Sequence, residues 1–131
     1  MAGREFARKI SWQVMQPERP LPPLAHKARR FIQSHALSES CKLLQIARAC
    51  SVSAAHLFRV FHKSTGLTVT EYIARLRVEH SLSLLKRNDQ SIAEIAFTSG
   101  FQSISQFNRT FKKFTGFAPS LMRVAQTRDD G

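Results

Sequence analysis

The chain has 131 residues, 20 Lys plus Arg against 9 Asp plus Glu, a formal net charge of +11 and a hydrophobic fraction of 43%. That is enough apolar side chain for one packed domain, or two small ones sharing a seam, and it excludes disorder throughout. A charge this large on a chain this short calls for an anionic partner, because like charges weaken a compact state unless something offsets them.

Four of the five prolines lie between Pro17 and Pro23. Such a run is extended and joins neither a helix interior nor a sheet. Residues 1–23 therefore read as an arm or linker, either of a longer protein or of a small free-standing one. From Leu24 the apolar spacing is helical, and no six-residue alternating stretch suggests a strand. The first helix is expected over about Leu24–Ala36, with Leu24, Ala28, Phe31, Ile32 and His35 on its inner side. Helices follow at about Leu43–Ala49, Ser53–Thr65, Val69–Arg87, Ile92–Thr98 and Ile104–Thr115. A last turn or two runs from Pro119 to about Ala125, and 126–131 is a tail. The fold class is all-α, with about seven helices.

The expected boundaries carry their own chemistry. Thr68 with Glu71, Ser91 with Glu94 and Ser103 with Gln106 fit capping boxes, in which the two side chains satisfy each other's backbone N–H groups. Gly66 and Gly116 stand where a left-handed residue ends a helix, each followed by an apolar residue that packs back.

The two Thr-Gly stops reveal an internal repeat. At an offset of 50, Leu57, Arg59, Phe61, Lys63, Thr65 and Gly66 fall on Phe107, Arg109, Phe111, Lys113, Thr115 and Gly116. Upstream, Gln45-Ile46-Ala47 falls on Glu94-Ile95-Ala96 at offset 49, which puts one extra residue in the second turn, around Gly100. Each copy, about 43–66 and 92–116, is a short helix, a tight turn and a longer helix. That is the plan of a helix-turn-helix, in which the first helix braces a second that enters the major groove. A duplicated hairpin used only for packing or for holding a protein is the plainer alternative.

The faces of the longer helices weigh against that alternative. Ile104, Phe107, Phe111 and Phe114 make a core stripe in the second copy, as do Leu57, Val60 and Phe61 in the first. The opposite faces carry Ser105, Arg109 and Lys112, and Ala55, Arg59 and His62, with no acid on either helix. A face that only meets solvent usually mixes signs. The joining helix of about 19 residues spans roughly 28 Å at 1.5 Å per residue. Successive major grooves on one side of B-DNA lie about 34 Å apart. One chain can then read an asymmetric site without dimerising, with the mismatch absorbed by bending the DNA at about 1–6 kcal/mol.

The run from Ser91 to Ser120, SIAEIAFTSGFQSISQFNRTFKKFTGFAPS, followed by Leu121-Met122-Arg123, resembles the signature of AraC/XylS-type bacterial regulators. The first copy and the Tyr72, Arg77, Leu84-Leu85 pattern of the joining helix match as well. The resemblance covers about Leu24 to Val124. It implies two homeodomain-like helix-turn-helix units in tandem that bind an asymmetric element in double-stranded DNA and activate transcription by contacting RNA polymerase. It also implies base reading by Ala55, Phe58 and Arg59 in the first copy and by Ser105, Gln106 and Arg109 in the second. Arg takes a guanine edge bidentately and Gln an adenine edge, whereas Ala and Phe offer only apolar contact to a thymine methyl. Phe58 either reads in that way or packs against its neighbours. Gln106 is either a reader or the capping partner of Ser103. Phosphates are expected at Lys63, Lys112 and Lys113, and at the helix starts near Ser53, Ser91 and Ser103.

Other functions find little support. No stretch nears the roughly 18 apolar residues a membrane span needs, and no apolar run follows the N-terminal charges as in a secretory signal. Two cysteines make no disulfide framework, and a reducing, cytoplasmic compartment is expected. Eight residues between Cys41 and Cys50 are too many for a zinc finger, despite His56 and His62 downstream. No phosphate-binding Gly loop, cofactor motif, metal site or catalytic constellation is visible, so an enzyme is not expected. Twenty-three N-terminal residues are too few for a sensor or dimerisation domain, so any such domain is absent from this chain, and an effector acts through a missing part or through protein abundance. The rival reading is a basic helical module for RNA or an acidic protein, without base readout.

Overall fold

The structure is a computed structural model, and it describes residues 20–87 and 89–123. Residues 1–19 of the expected arm (1–23) and the expected tail over 126–131 lie outside the described residues, and Pro23 at the end of that arm already belongs to a helix. Among the described residues six helices run in order: α1 (Pro23–His35), α2 (Leu43–Ala49), α3 (Ala54–Thr65), α4 (Val69–Arg87), α5 (Ile92–Thr98) and α6 (Ile104–Thr115). A further helical turn starts at residue 119, and no strand occurs among the described residues.

Local chemistry sets the ends. Pro23 opens α1, where its missing N–H costs nothing. Ser53 caps α3 by accepting from the His56 N–H, and Thr68 Oγ1 accepts from the Glu71 N–H. Ser91 and Glu94 form a complete capping box. Gly66 and Gly116 end α3 and α6 at φ +79° and +84°. Beside them Thr65 Oγ1 accepts the Leu67 N–H at 3.1 Å, and its one proton is shared between the carbonyls of Phe61 at 2.8 Å and Leu67 at 3.1 Å. Thr115 Oγ1 accepts the Phe117 N–H at 3.0 Å and donates to the Phe117 carbonyl at 2.9 Å.

Two apolar cores form, and α4 serves both. The first joins Ile32, Ile46, Leu57 and Phe61 to Val69, Tyr72 and Ile73. The second joins Val78, Leu84 and Leu85 to Ile95, Phe101, Phe107, Phe111 and Met122. Phe107 lies 5.2 Å from Phe101 and 5.5 Å from Phe111, ring centre to ring centre. Burying each such ring contributes about 1.5–3 kcal/mol. Tyr72 packs on Phe61 at 5.7 Å, and its hydroxyl accepts from Gln33 Nε2 at 3.1 Å.

Three expectations need correction. His35 is exposed rather than on the inner side, stacked on Phe31 at 4.1 Å. The stripe on α6 is narrower than its spacing suggests: Ile104 is 40% exposed, and half-buried Phe114 lies under the Arg75 guanidinium at 5.0 Å. Only the first turn of α6 extends past the edge of the core, since Phe114 still packs against it. The extra residue of the second copy is also not at Gly100. In the first turn the amides of Cys50, Ser51 and Val52 donate to Ile46, Arg48 and Ala47. In the second, those of Ser99, Gly100 and Phe101 donate to Ile95, Phe97 and Ala96. The turns therefore match bond for bond at offset 49, and the inserted residue is Gln102.

Candidate nucleic-acid interface

The helices α3 and α6 stand on their cores by Leu57 and Phe61, and by Phe107 and Phe111. The proposed readers other than Gln106 therefore turn outward by helical geometry. Ala55, Phe58 and Arg59 are exposed on α3, and Ser105 and Arg109 on α6. Neither Arg59 nor Arg109 has a hydrogen bond or ion pair among the described residues. An unpaired guanidinium keeps its five-donor fork free for a base edge or a phosphate. Phe58 is 42% exposed and leans on His62 at 6.1 Å, so it is not buried in the core.

Gln106 is committed differently from either sequence alternative. Its N–H donates to Ser103 Oγ at 3.0 Å, as a cap requires. Its side-chain Oε1, however, accepts from the Gln102 N–H at 3.0 Å, not from Ser103. The inserted residue explains this: Gln102 adds a backbone donor just ahead of the cap. Oε1 is thus occupied, and the half-buried side chain retains its amide Nε2 for any other contact.

The expected phosphate groups sit at the helix ends. Lys63 lies in the last turn of α3, and Lys112 and Lys113 in that of α6, all exposed. Cations there also complement the negative helix terminus, a stabilising role that needs no DNA. Ser53, Ser91 and Ser103 use their hydroxyl oxygens as caps, which leaves each O–H proton able to donate.

Between the two units lies an open hollow of about 550 Å³. Thr70, Ala74 and Arg77 of α4 line it. So do Ala54 at the start of α3 and Gln106 and Thr110 of α6. Both outer helices thus border one hollow on one side of α4. Sequence periodicity carried no sign of this, because it depends on how each core seats its helix. Among the described residues, no group of three or more His, Cys, Asp or Glu is placed to hold a metal. Cys41 and Cys50 are buried, with the Cys41 thiol's pKa pushed up by burial against the opposing effect of Arg77. No described helix is long and apolar enough to cross a membrane.

Residues 46–125 match a family described as a helix-turn-helix domain. The Msm operon regulatory protein of Streptococcus mutans is 34% identical over 98 residues, which is 75% of this chain and 35% of that protein. This chain therefore spans about a third of that relative's length. The C-terminal domain of AraT, a response regulator from Geobacillus stearothermophilus, is 28% identical with a TM-score of 0.77, over 80% of this chain and 87% of that one. The DNA-binding domain of the global transcriptional factor AdpA, solved with a target DNA, is 25% identical with a TM-score of 0.71, over 79% and 91%. With a matching domain family over most of the described residues, a doubled helix-turn-helix on one joining helix and relatives that are bacterial regulators, the chain belongs to the AraC-type family of DNA-binding transcription regulators.

Proposed function

We propose that this chain binds one asymmetric site in double-stranded DNA, with α3 and α6 in consecutive major grooves. The observation that carries this is that both outer helices border one hollow on the same side of α4, and that these two helices carry exposed, unpaired Arg59 and Arg109 and no acid. The 19 residues of α4 give a spacer of about 28 Å, somewhat short of the roughly 34 Å groove repeat. Modest bending of the duplex toward the protein closes that gap. Arg109 and Ser105 read bases in the second groove and Arg59 in the first, with Ala55 and Phe58 against thymine methyls. Gln106 contributes through Nε2 only. Lys63, Lys112, Lys113 and the capped helix starts hold phosphates.

The family resemblance extends this reading to activation by contact with RNA polymerase in the bacterial cytoplasm. Transcription in vitro from a promoter carrying the selected site tests that step, and no stimulation refutes it.

Selection from a random duplex pool is the primary test. One enriched asymmetric site of about two turns is expected, and no enrichment refutes the proposal. Binding to that site falls with salt at a log–log slope near −5 for about six phosphates. Equal affinity for the selected duplex, random duplex and RNA favours instead a polyanion-binding module without base readout.

A further inference from the structure

Arg77 lies where the two cores meet on α4. Its neighbour Leu76 packs against the first core, and Val78 belongs to the second. The side chain reaches back into the first half. Nε donates to the Ala36 carbonyl at 2.7 Å, and Nη2 donates to the Ser38 carbonyl at 2.8 Å. Both acceptors belong to the loop between α1 and α2. The same guanidinium lies 6.0 Å from the ring centre of Phe101, in the turn of the second unit. That turn is pressed against the same loop. A Cβ on Gly100 would lie 2.8 Å from the Leu37 carbonyl oxygen and 2.9 Å from Arg77 Nε. One planar, always-charged fork thus holds two carbonyls of the first half, at Ala36 and Ser38, and lies against the turn that aims α6.

We propose that Arg77 is a positioning residue that fixes α6 relative to α3, and thereby sets the base-pair spacing between the two half-elements this domain accepts. The proposal rests on the two-groove reading. Without the tie, each unit keeps its own core and its own outer face, and what loosens is the joint between them. Charge-assisted bonds from a rigid fork suit such a joint better than apolar packing, which tolerates sliding. The consequence is readable in DNA. Adding one base pair between half-elements shifts the second by about 3.4 Å and turns it by about 35°, from the roughly 10–10.5 pairs per turn of B-DNA. A rigid joint rejects that shift and a loose one follows it.

The test uses the full chain and three duplexes: the site selected from the random pool, and versions with one base pair added or removed between the half-elements. The parent is expected to lose at least about tenfold in affinity on either altered spacing, on the order of one mismatched base pair. Arg77→Ala is expected to shrink that spacing penalty to about threefold or less, while mismatches within each half-element still cost what they cost the parent. Arg77→Lys, which keeps the charge and a single donor group, falls between, and it carries the test if the alanine variant does not fold. A merely structural role lowers the affinity for all three duplexes alike with the spacing ratio unchanged, and that result overturns the proposal.

A second measurement needs no DNA. Spin labels at Gln45 on α2 and Thr98 on α5, both exposed and outside α3 and α6, report the separation of the two units. They are introduced in a background with Cys41 and Cys50 replaced by Ala. The distance distribution is expected to broaden in Arg77→Lys, and an unchanged width overturns the proposal. If the pool yields no site, the two-groove reading fails while this measurement still decides whether Arg77 fixes the joint.

Discussion

Ser51 and Gly100 occupy the same place in the two turns, yet substitutions at them should act in opposite directions. Both have positive φ, +58° at Ser51 and +93° at Gly100. A residue with a Cβ pays roughly 1–2 kcal/mol for a left-handed backbone. Ser51 pays this in the native protein, and its side chain is exposed. Ser51→Gly relieves the strain but restores about 0.4–1 kcal/mol of unfolded-chain entropy. A net gain of about 0.5–1 kcal/mol is therefore expected. Gly100→Ala adds the strain and also drives a methyl group to 2.8 Å from the Leu37 carbonyl and 2.9 Å from Arg77 Nε. Overpacking of that kind costs about 1–3 kcal/mol more. With the entropy offset, the expected loss is about 2–4 kcal/mol. Gly66 and Gly116 are internal controls, since a Cβ on either meets nothing within 4 Å. Their alanine variants should lose only about 1 kcal/mol. Urea unfolding followed by circular dichroism at 222 nm gives all four values. A Gly100→Ala variant no less stable than Gly66→Ala refutes the close-approach account, and a destabilised Ser51→Gly refutes the strain account.

Three further outcomes follow from the geometry. Phe58→Ser should leave the melting temperature nearly unchanged, since an exposed substitution stays within about 0.5 kcal/mol, yet weaken binding to the selected duplex by about 1 kcal/mol; unchanged affinity removes Phe58 from the interface. Ser91→Ala breaks the capping box of α5 and should cost about 0.5–2 kcal/mol in urea unfolding, whereas a neutral result shows that water replaces the cap freely. Glu79 has its carboxyl pKa raised by burial, only partly opposed by Arg75, so its contribution is favourable in acid and is lost as pH rises through the folded-state value; Glu79→Gln should therefore melt higher than the parent at pH 7, with the advantage vanishing as pH drops below the usual carboxylate range, and a lower melt at pH 7 reverses the sign argued here.

Helix limits were legible because their determinants are local. Ser91 with Glu94, Gly66 and Gly116 act within a few residues of themselves, so the expected bounds of α2, α4, α5 and α6 coincide with those observed. The exposed placement of Arg59 and Arg109 followed from period alone, given Leu57 and Phe107 as anchors. What depended on long-range packing was not legible. The exposure of Ile104 depends on where the second core ends, and the tie from Arg77 to Ala36 crosses 41 residues. Gln106 is an intermediate case. The capping residue was visible in the sequence, but the inserted Gln102 that captures its side-chain oxygen became evident only once the turns aligned bond for bond.

The two units are alike in backbone but not in what they present. On the two-groove reading, α6 offers Ser105, Arg109 and the Gln106 amide, while α3 offers Arg59 beside apolar Ala55 and Phe58. A bidentate arginine contributes about 1–3 kcal/mol of discrimination at one base pair, and the apolar groups add little against most bases. The second half-element should therefore be the better defined in any selected site. Charge runs the other way. Residues 42–66 carry Lys42, Arg48, Arg59 and Lys63 with no acid, whereas Glu94 offsets part of Arg109, Lys112 and Lys113 over 91–116. Attraction to the phosphate backbone is thus strongest in the unit that reads least. Such a division works only if the weakly reading unit is held in register by the other, which is the role the Arg77 joint would serve.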